Sequence, residues 1–97
     1  MRDIEFLPQA QAELLHEVSY YSSLRSGAGV RFQAAVESAL DRVARHPLGG
    51  APSPTGTRSV LVKGFPFSIV YRFSEPQVLV VAIAPHKRLP GYWLSRV

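Results

Sequence analysis

RSVLVKGFPFSIVYRFSEPQVLVVAIA, residues 58–84, decides the fold. Apolar side chains recur here at every second position, the period of a strand with one buried face. Arg58 to Lys63 reads as a strand, turned by Gly64-Phe65-Pro66. Phe67 to Phe73 is a second strand, turned by Ser74-Glu75-Pro76, and Gln77 to Ala84 is a third. Two short connections in succession make an antiparallel meander. The third strand is almost unbroken Val, Leu, Ile and Ala, which implies burial on both faces and a central place in the sheet. On the middle strand Phe67, Ile69, Tyr71 and Phe73 share one face, while Ser68, Val70 and Arg72 share the other. Arg72 is thereby expected at the centre of a sheet surface that no helix covers.

Upstream the period changes. Ile4-Glu5-Phe6-Leu7 is a short apolar strand ended by Pro8, which suits the first turn of a helix because its missing N–H would have had no partner there. From Pro8 to about Arg25, Ala10, Leu14, Val18 and Tyr21 recur at helical spacing, with Gln9, Gln11, Glu13 and Glu17 on the polar side. Ser26-Gly27-Ala28-Gly29 breaks this helix, and a second follows from about Val30 to Arg45 with Phe32, Val36, Ala39, Leu40 and Val43 along one stripe. Arg42, Arg45 and His46 complement its negative end, and Pro47 stops it. Residues 47–56 hold three Pro and three Gly without periodicity and read as a loop, the most mobile part of the chain. Arg88 to Val97 forms a tail with a short helical turn. The order β-α-α-β-β-β predicts one α+β domain over residues 1–97, a helical hairpin packed on one face of a mainly antiparallel sheet.

Composition narrows the function classes. With 46% hydrophobic and 19% charged residues the chain is globular, and it has no cysteine. Disulfides, zinc–thiolate sites and thiol nucleophiles are excluded together. No apolar run approaches the ~20 residues that span a bilayer, so the expectation is a cytoplasmic protein with no membrane partner. Net charge is +4, and it is unevenly placed. Residues 1–56 carry five Arg against six acids; residues 57–97 carry Arg58, Lys63, Arg72, Lys87, Arg88 and Arg96 against Glu75 alone. Such asymmetry points to an anionic partner.

Several stretches together resemble the RelE/ParE superfamily of toxins, the plasmid-stabilisation proteins of type II toxin–antitoxin systems. They are Ala10-Gln11-Ala12-Glu13-Leu14, Tyr20-Tyr21, His46-Pro47 with Gly49 and Gly50, Arg58 opening a strand, and Phe65-Pro66-Phe67-Ser68-Ile69-Val70-Tyr71. The last is Ala82-Ile83-Ala84-Pro85-His86-Lys87-Arg88-Leu89-Pro90-Gly91-Tyr92-Trp93, in which Pro85 and the His-to-Arg spacing depart from the family form. The resemblance implies a bacterial growth inhibitor held inactive by a cognate antitoxin, whose segment folds on binding to give a toxin–antitoxin hetero-oligomer. It implies one of two targets: messenger RNA cut on the ribosome without a metal, as RelE-like toxins do, or DNA gyrase poisoned by binding, as ParE-like toxins do. A degenerate, non-toxic member is the third reading. Fold alone does not choose among them.

Metal-independent RNA cleavage needs a base, an acid and cations around the phosphate. Arg72, whose planar fork matches phosphate oxygens, is the candidate clamp, with a salt bridge to Glu75 or a solvated position as the plainer reading. His86 is the candidate acid or base, against a structural histidine that fixes the tail. Tyr92 is the candidate for proton transfer or stacking, and Trp93 reads as the tail's anchor. Arg58, Lys63, Lys87, Arg88 and Arg96 are candidate phosphate or target contacts. Arg58 and Lys63, five apart on one strand, are expected on opposite faces. His16 and His46 are too dispersed for a metal site, and no cofactor signature is visible. No Ser–His–acid arrangement is apparent, and the basic part offers almost no acid to orient His86.

Overall fold

The structure is a computed structural model that describes residues 2–97. Strand β1 (Asp3–Phe6) leads into helix α1 (Pro8–Leu24) and helix α2 (Ala28–Arg45). Then come β2 (Ala51–Pro52), β3 (Arg58–Leu61), β4 (Phe67–Ser74), β5 (Gln77–Pro85) and a final 3-10 turn, Leu94–Arg96. The expected α+β order holds, with the two-residue strand β2 added inside the Pro/Gly segment.

The sheet runs β1-β5-β4-β3-β2. β1 pairs with β5 in parallel and the remaining pairs are antiparallel. β5 therefore has strand neighbours on both sides, as its apolar run predicts, but only over part of its length. β1 covers Gln77 to Val80 and stops, because Pro8 has already begun α1 two residues beyond Phe6. From Val81 onward one edge of β5 has no strand beside it.

Both helices pack on one face. Phe32, Val36, Ala39 and Leu40 of α2 join Ala10 of α1 over Phe67, Ile69, Val80 and Ile83 of the sheet. The rings of Tyr21, Phe32, Phe65 and Phe67 meet with centroids 5.0–6.3 Å apart, within the range of favourable aromatic packing. The helix connection is tight, with α2 starting at Ala28 rather than Val30. A Cβ on Gly29 would strike Ser22 Oγ and lie 2.6 Å from the Val18 carbonyl oxygen, so only glycine lets the two helices approach this closely.

β4 keeps the predicted alternation, and β5 carries an irregularity opposite it. Between the Val70–Ala82 and Tyr71–Val80 pairs, Val81 is an extra residue, a β-bulge that places Val81 and Ala82 together on the face away from the helices. Val78 and Val80 face the helix side before the bulge, and Ile83 returns to it afterwards.

The Pro/Gly segment is fastened to the sheet. Tyr71, fully buried, donates its hydroxyl to the Pro47 carbonyl at 2.7 Å and accepts the Gly50 N–H at 3.2 Å. Burial pushes the Tyr71 phenol above its ordinary pKa despite the Gly50 hydrogen bond and the nearby Arg58 charge. Arg58 Nη1 donates to the carbonyls of Leu48 and Gly50 at 3.0 and 2.9 Å. Ser53, Thr55 and Thr57 bind one another through their hydroxyls. The expectation of a free loop misses these anchors, since Tyr71 and Arg58 lie in strands further along the chain.

Candidate functional site

The sheet face away from the helices is not bare. The tail folds back across it, and Tyr92 and Trp93 pack on Val70, Val81 and Ala82. What holds the tail is Glu13, from the helix on the other side of the sheet. Its carboxylate accepts the Tyr92 hydroxyl at 2.7 Å and two guanidinium N–H groups of Arg96 at 2.9 and 3.0 Å. It also accepts the Ile83 backbone N–H at 3.0 Å, while Arg96 Nη1 donates to the Val81 carbonyl at 3.0 Å. Glu13 and the tail thereby cap the edge of β5 that β1 leaves unpaired, removing a template for strand addition.

Both charged side chains of this latch are about 15% exposed, so the pair is desolvated and bidentate. Burial pushes the Glu13 carboxyl up, but hydrogen bonds from Arg96, Tyr92 and Ile83 and the Arg96 charge outweigh it and hold the group below its ordinary pKa. The Tyr92 phenol moves far the other way, through burial first and then through its hydrogen bond and proximity to the Glu13 carboxylate. Arg96 is held above its ordinary value chiefly by the Glu13 hydrogen bond.

Beside the tail lies a cleft of about 420 Å³. Ser59, Ser68, Val70 and Ala84 of the sheet form its floor, and His86, Arg88, Tyr92 and Trp93 border it from the tail side. His86 Nε2 is 2.9 Å from Ser68 Oγ, and the His86 backbone N–H donates to the Pro66 carbonyl at 2.9 Å. The Arg88 guanidinium lies 3.7 Å from the centre of the Tyr92 ring, a cation–π stack.

A family model described as ParE toxin of type II toxin-antitoxin system, parDE, matches residues 4–90. The chain belongs to the ParE toxin family. A solved structure, "Chromosomal ParDE TA system from P. aeruginosa", is similar in fold to this ParE-family chain with a TM-score of 0.75 at 16% identity, covering 88% of this chain and 96% of that one. No curated protein matches the sequence.

The ParE-family fold brings some of the expected site residues together and separates others. His86, Arg88 and Tyr92 all border the cleft. Arg72 does not. It is exposed beside Leu79, four residues from Ser68 on the same face, about 13 Å at roughly 3.3 Å per residue. Its expected partner Glu75 is bound instead by Arg2 at 3.2 Å, and the Arg72 side chain has no hydrogen-bond partner among the described residues. Arg58, opposite Tyr71 in the sheet, also lines the cleft, with its guanidinium bound to the Leu48 and Gly50 carbonyls. Lys63 lies past the end of β3 in the turn, so the expected alternation with Arg58 does not apply to it. Arg96 is consumed by Glu13, and Lys87 faces a separate groove beside His16 and Tyr20 of α1.

Sequence reading missed Glu13 and Ser68. Glu13 stood in the Ala-x-x-Glu-Leu stretch but read as a solvent-facing helix residue. Ser68 carried only its alternation with Val70. A Ser–His pair is present after all, with no carboxylate lining its cleft among the described residues. Among the described residues, no group of His and acid side chains is placed to hold a metal ion, and no helix is long and apolar enough to cross a membrane.

Proposed function

We propose that this ParE-family chain is a growth-inhibiting toxin that acts by binding, with DNA gyrase as its target and a cognate antitoxin holding it inactive. One observation carries this reading: Arg72 stands apart from the cleft that His86 and Tyr92 border. A catalytic trio of these residues would need all three free around one phosphate, yet the Tyr92 hydroxyl is committed to Glu13 and Arg72 lies outside the cleft that His86 borders. A binding toxin needs no such convergence. It needs an accessible surface of suitable charge, which the exposed Arg72, Lys63, Lys87 and Arg88 supply.

The test is induction of the chain in a bacterial host, alone and with the small gene beside it, followed by assays on purified protein. The expected result is growth arrest relieved by the neighbour, copurification of the two products, and inhibition of gyrase supercoiling with broken DNA. Arrest with intact supercoiling and cut ribosome-bound message would instead establish the RelE-like activity. Normal growth would identify a non-toxic member.

A further inference from the structure

We propose that the tip of the helical hairpin is a docking surface for an anionic lipid bilayer. Docking there does not depend on which target the toxin attacks. Leu24, the last residue of α1, is 60% exposed, and Val30, in the first turn of α2, is 74% exposed. Each is followed by an exposed arginine, Arg25 and Arg31. Only Arg25 to Gly27 separate the two helices, so both apolar–basic pairs sit at one end of the molecule. The sheet brings the same chemistry to that end. Phe67 pairs with Pro85 where β4 begins and β5 ends, and Phe65 lies 5.1 Å from the rings of Tyr21 and Phe32. The turn carrying Lys63 and the start of the tail at Lys87 are thereby held beside the hairpin, and Lys87, Pro66, Tyr20 and Leu24 line one groove. None of Arg25, Arg31, Lys63 and Lys87 makes an ion pair among the described residues. Glu17 borders the groove about two turns back from Leu24, and the chain has no acid from Val18 to Val36. Asp3, Asp41 and Glu75 lie at the opposite end, where Arg2 bridges the β4–β5 turn to the end of α2.

The core of a protein interface is poor in charge, whereas here each exposed apolar side chain has a cation next to it. That mixture suits a soft anionic interface. Leucine and valine enter the boundary between headgroups and acyl chains. Arginine and lysine lay their stems along it and keep their charges among the headgroups, and each cation near such a surface adds to the attraction. The acid-bearing end is repelled, so the same charge separation sets the orientation. A bilayer surface is reached without a spanning segment, so the lack of an apolar run of that length does not bear on it.

The chain has no cysteine, so Ser26→Cys carries a single environment-sensitive fluorophore at the tip, and Thr55→Cys carries it on a separate exposed loop. The purified full chain is mixed with phosphatidylcholine vesicles, with and without about a third phosphatidylglycerol, and binding is followed by co-sedimentation. The expected result is binding to the anionic vesicles alone, weakened about tenfold or more between about 0.02 and 0.3 M salt. The label at position 26 shifts to the blue and the label at position 55 does not. Arg25→Gln with Arg31→Gln weakens partitioning about tenfold, and Leu24→Ser with Val30→Ser does the same, while both melt as wild type because all four positions are exposed. Arg42→Gln with Arg45→Gln removes the same net charge at the other end of α2 and binds within about twofold of wild type. No binding to anionic vesicles at low salt overturns the proposal. So does an unshifted label at position 26 on bound vesicles, undiminished binding by the folded tip variants, or equal loss in the two arginine pairs, which would leave net charge as the cause. If wild type ignores vesicles and changing Leu24 and Val30 abolishes copurification with the neighbouring gene's product, the tip belongs to a protein partner instead.

Discussion

Glu13 carries more of this structure than any other polar side chain. It sits behind the sheet from the cleft, yet it fixes Tyr92, Arg96 and the edge of β5 together. Glu13→Gln leaves the largely buried Arg96 guanidinium without its counter-charge, and we expect a loss on the order of 3 kcal/mol in urea unfolding. The pH dependence follows from the direction of the shift. Glu13 is held below its ordinary value of 4.5, so its contribution is complete above about pH 4.5 and is lost as the pH falls through the lower folded-state value. Wild type should lose stability more steeply than Glu13→Gln does as the pH is lowered below about 4.5. Parallel slopes in the two proteins would show that Glu13 is not the linked group. A second residue-scale expectation concerns Tyr71. Tyr71→Phe removes the partner of the Pro47 carbonyl and the Gly50 N–H in a buried site, and should cost about 1–3 kcal/mol, with increased amide exchange at Gly50.

Among the elements, the helical hairpin and the short β1 have the largest consequences. The hairpin depends on close approach at Gly29, where a Cβ would meet Ser22 and the Val18 carbonyl. Gly29→Ala should destabilise the fold by about 1–3 kcal/mol, the usual range for overpacking a filled site. A thermal melt unchanged from wild type would mean that the hairpin relaxes freely. β1 acts through its brevity. Four residues beside the nine of β5 leave backbone groups from Val81 onward without strand partners, and a buried N–H or C=O must find one. Glu13, Tyr92 and Arg96 meet that requirement. The tail is therefore docked by the same deficit that β1 creates.

For the whole molecule, charge distribution is the property that matters. Residues 57–97 hold six of the eleven basic residues and a single acid, and folding leaves Lys63, Arg72, Lys87 and Arg88 exposed while burying Arg96 against Glu13. Association with an anionic partner surface should then be steered by the exposed four and screened by salt. If gyrase is the target as proposed, the double change Lys63→Glu with Arg72→Glu should slow association with it about tenfold at low ionic strength, with little effect on the urea midpoint. Surface plasmon resonance at two salt concentrations measures this. Equal association rates for wild type and variant would remove these two cations from the docking surface.

The sequence by itself determined what depends on near neighbours. A period of 3.6 over residues 8–25 and 30–45, a period of 2 over residues 58–84, and Pro or Gly between them set the elements, the meander and the helix-facing side of β4. The family was also legible there, because its features follow one another along the chain. Only the tertiary structure decided the site. Glu13 and Tyr92 are 79 positions apart, and no local period reports which helix residue meets which tail residue. The bulge at Val81 is invisible in a run of uniformly apolar residues, since alternation cannot be counted where every residue is apolar. The separation of Arg72 from His86 follows from the β4–β5 register, and the docking of the tail depends on how far β1 extends along β5. That length follows from where the chain leaves the sheet for α1, and its effect is felt at a strand more than seventy residues later.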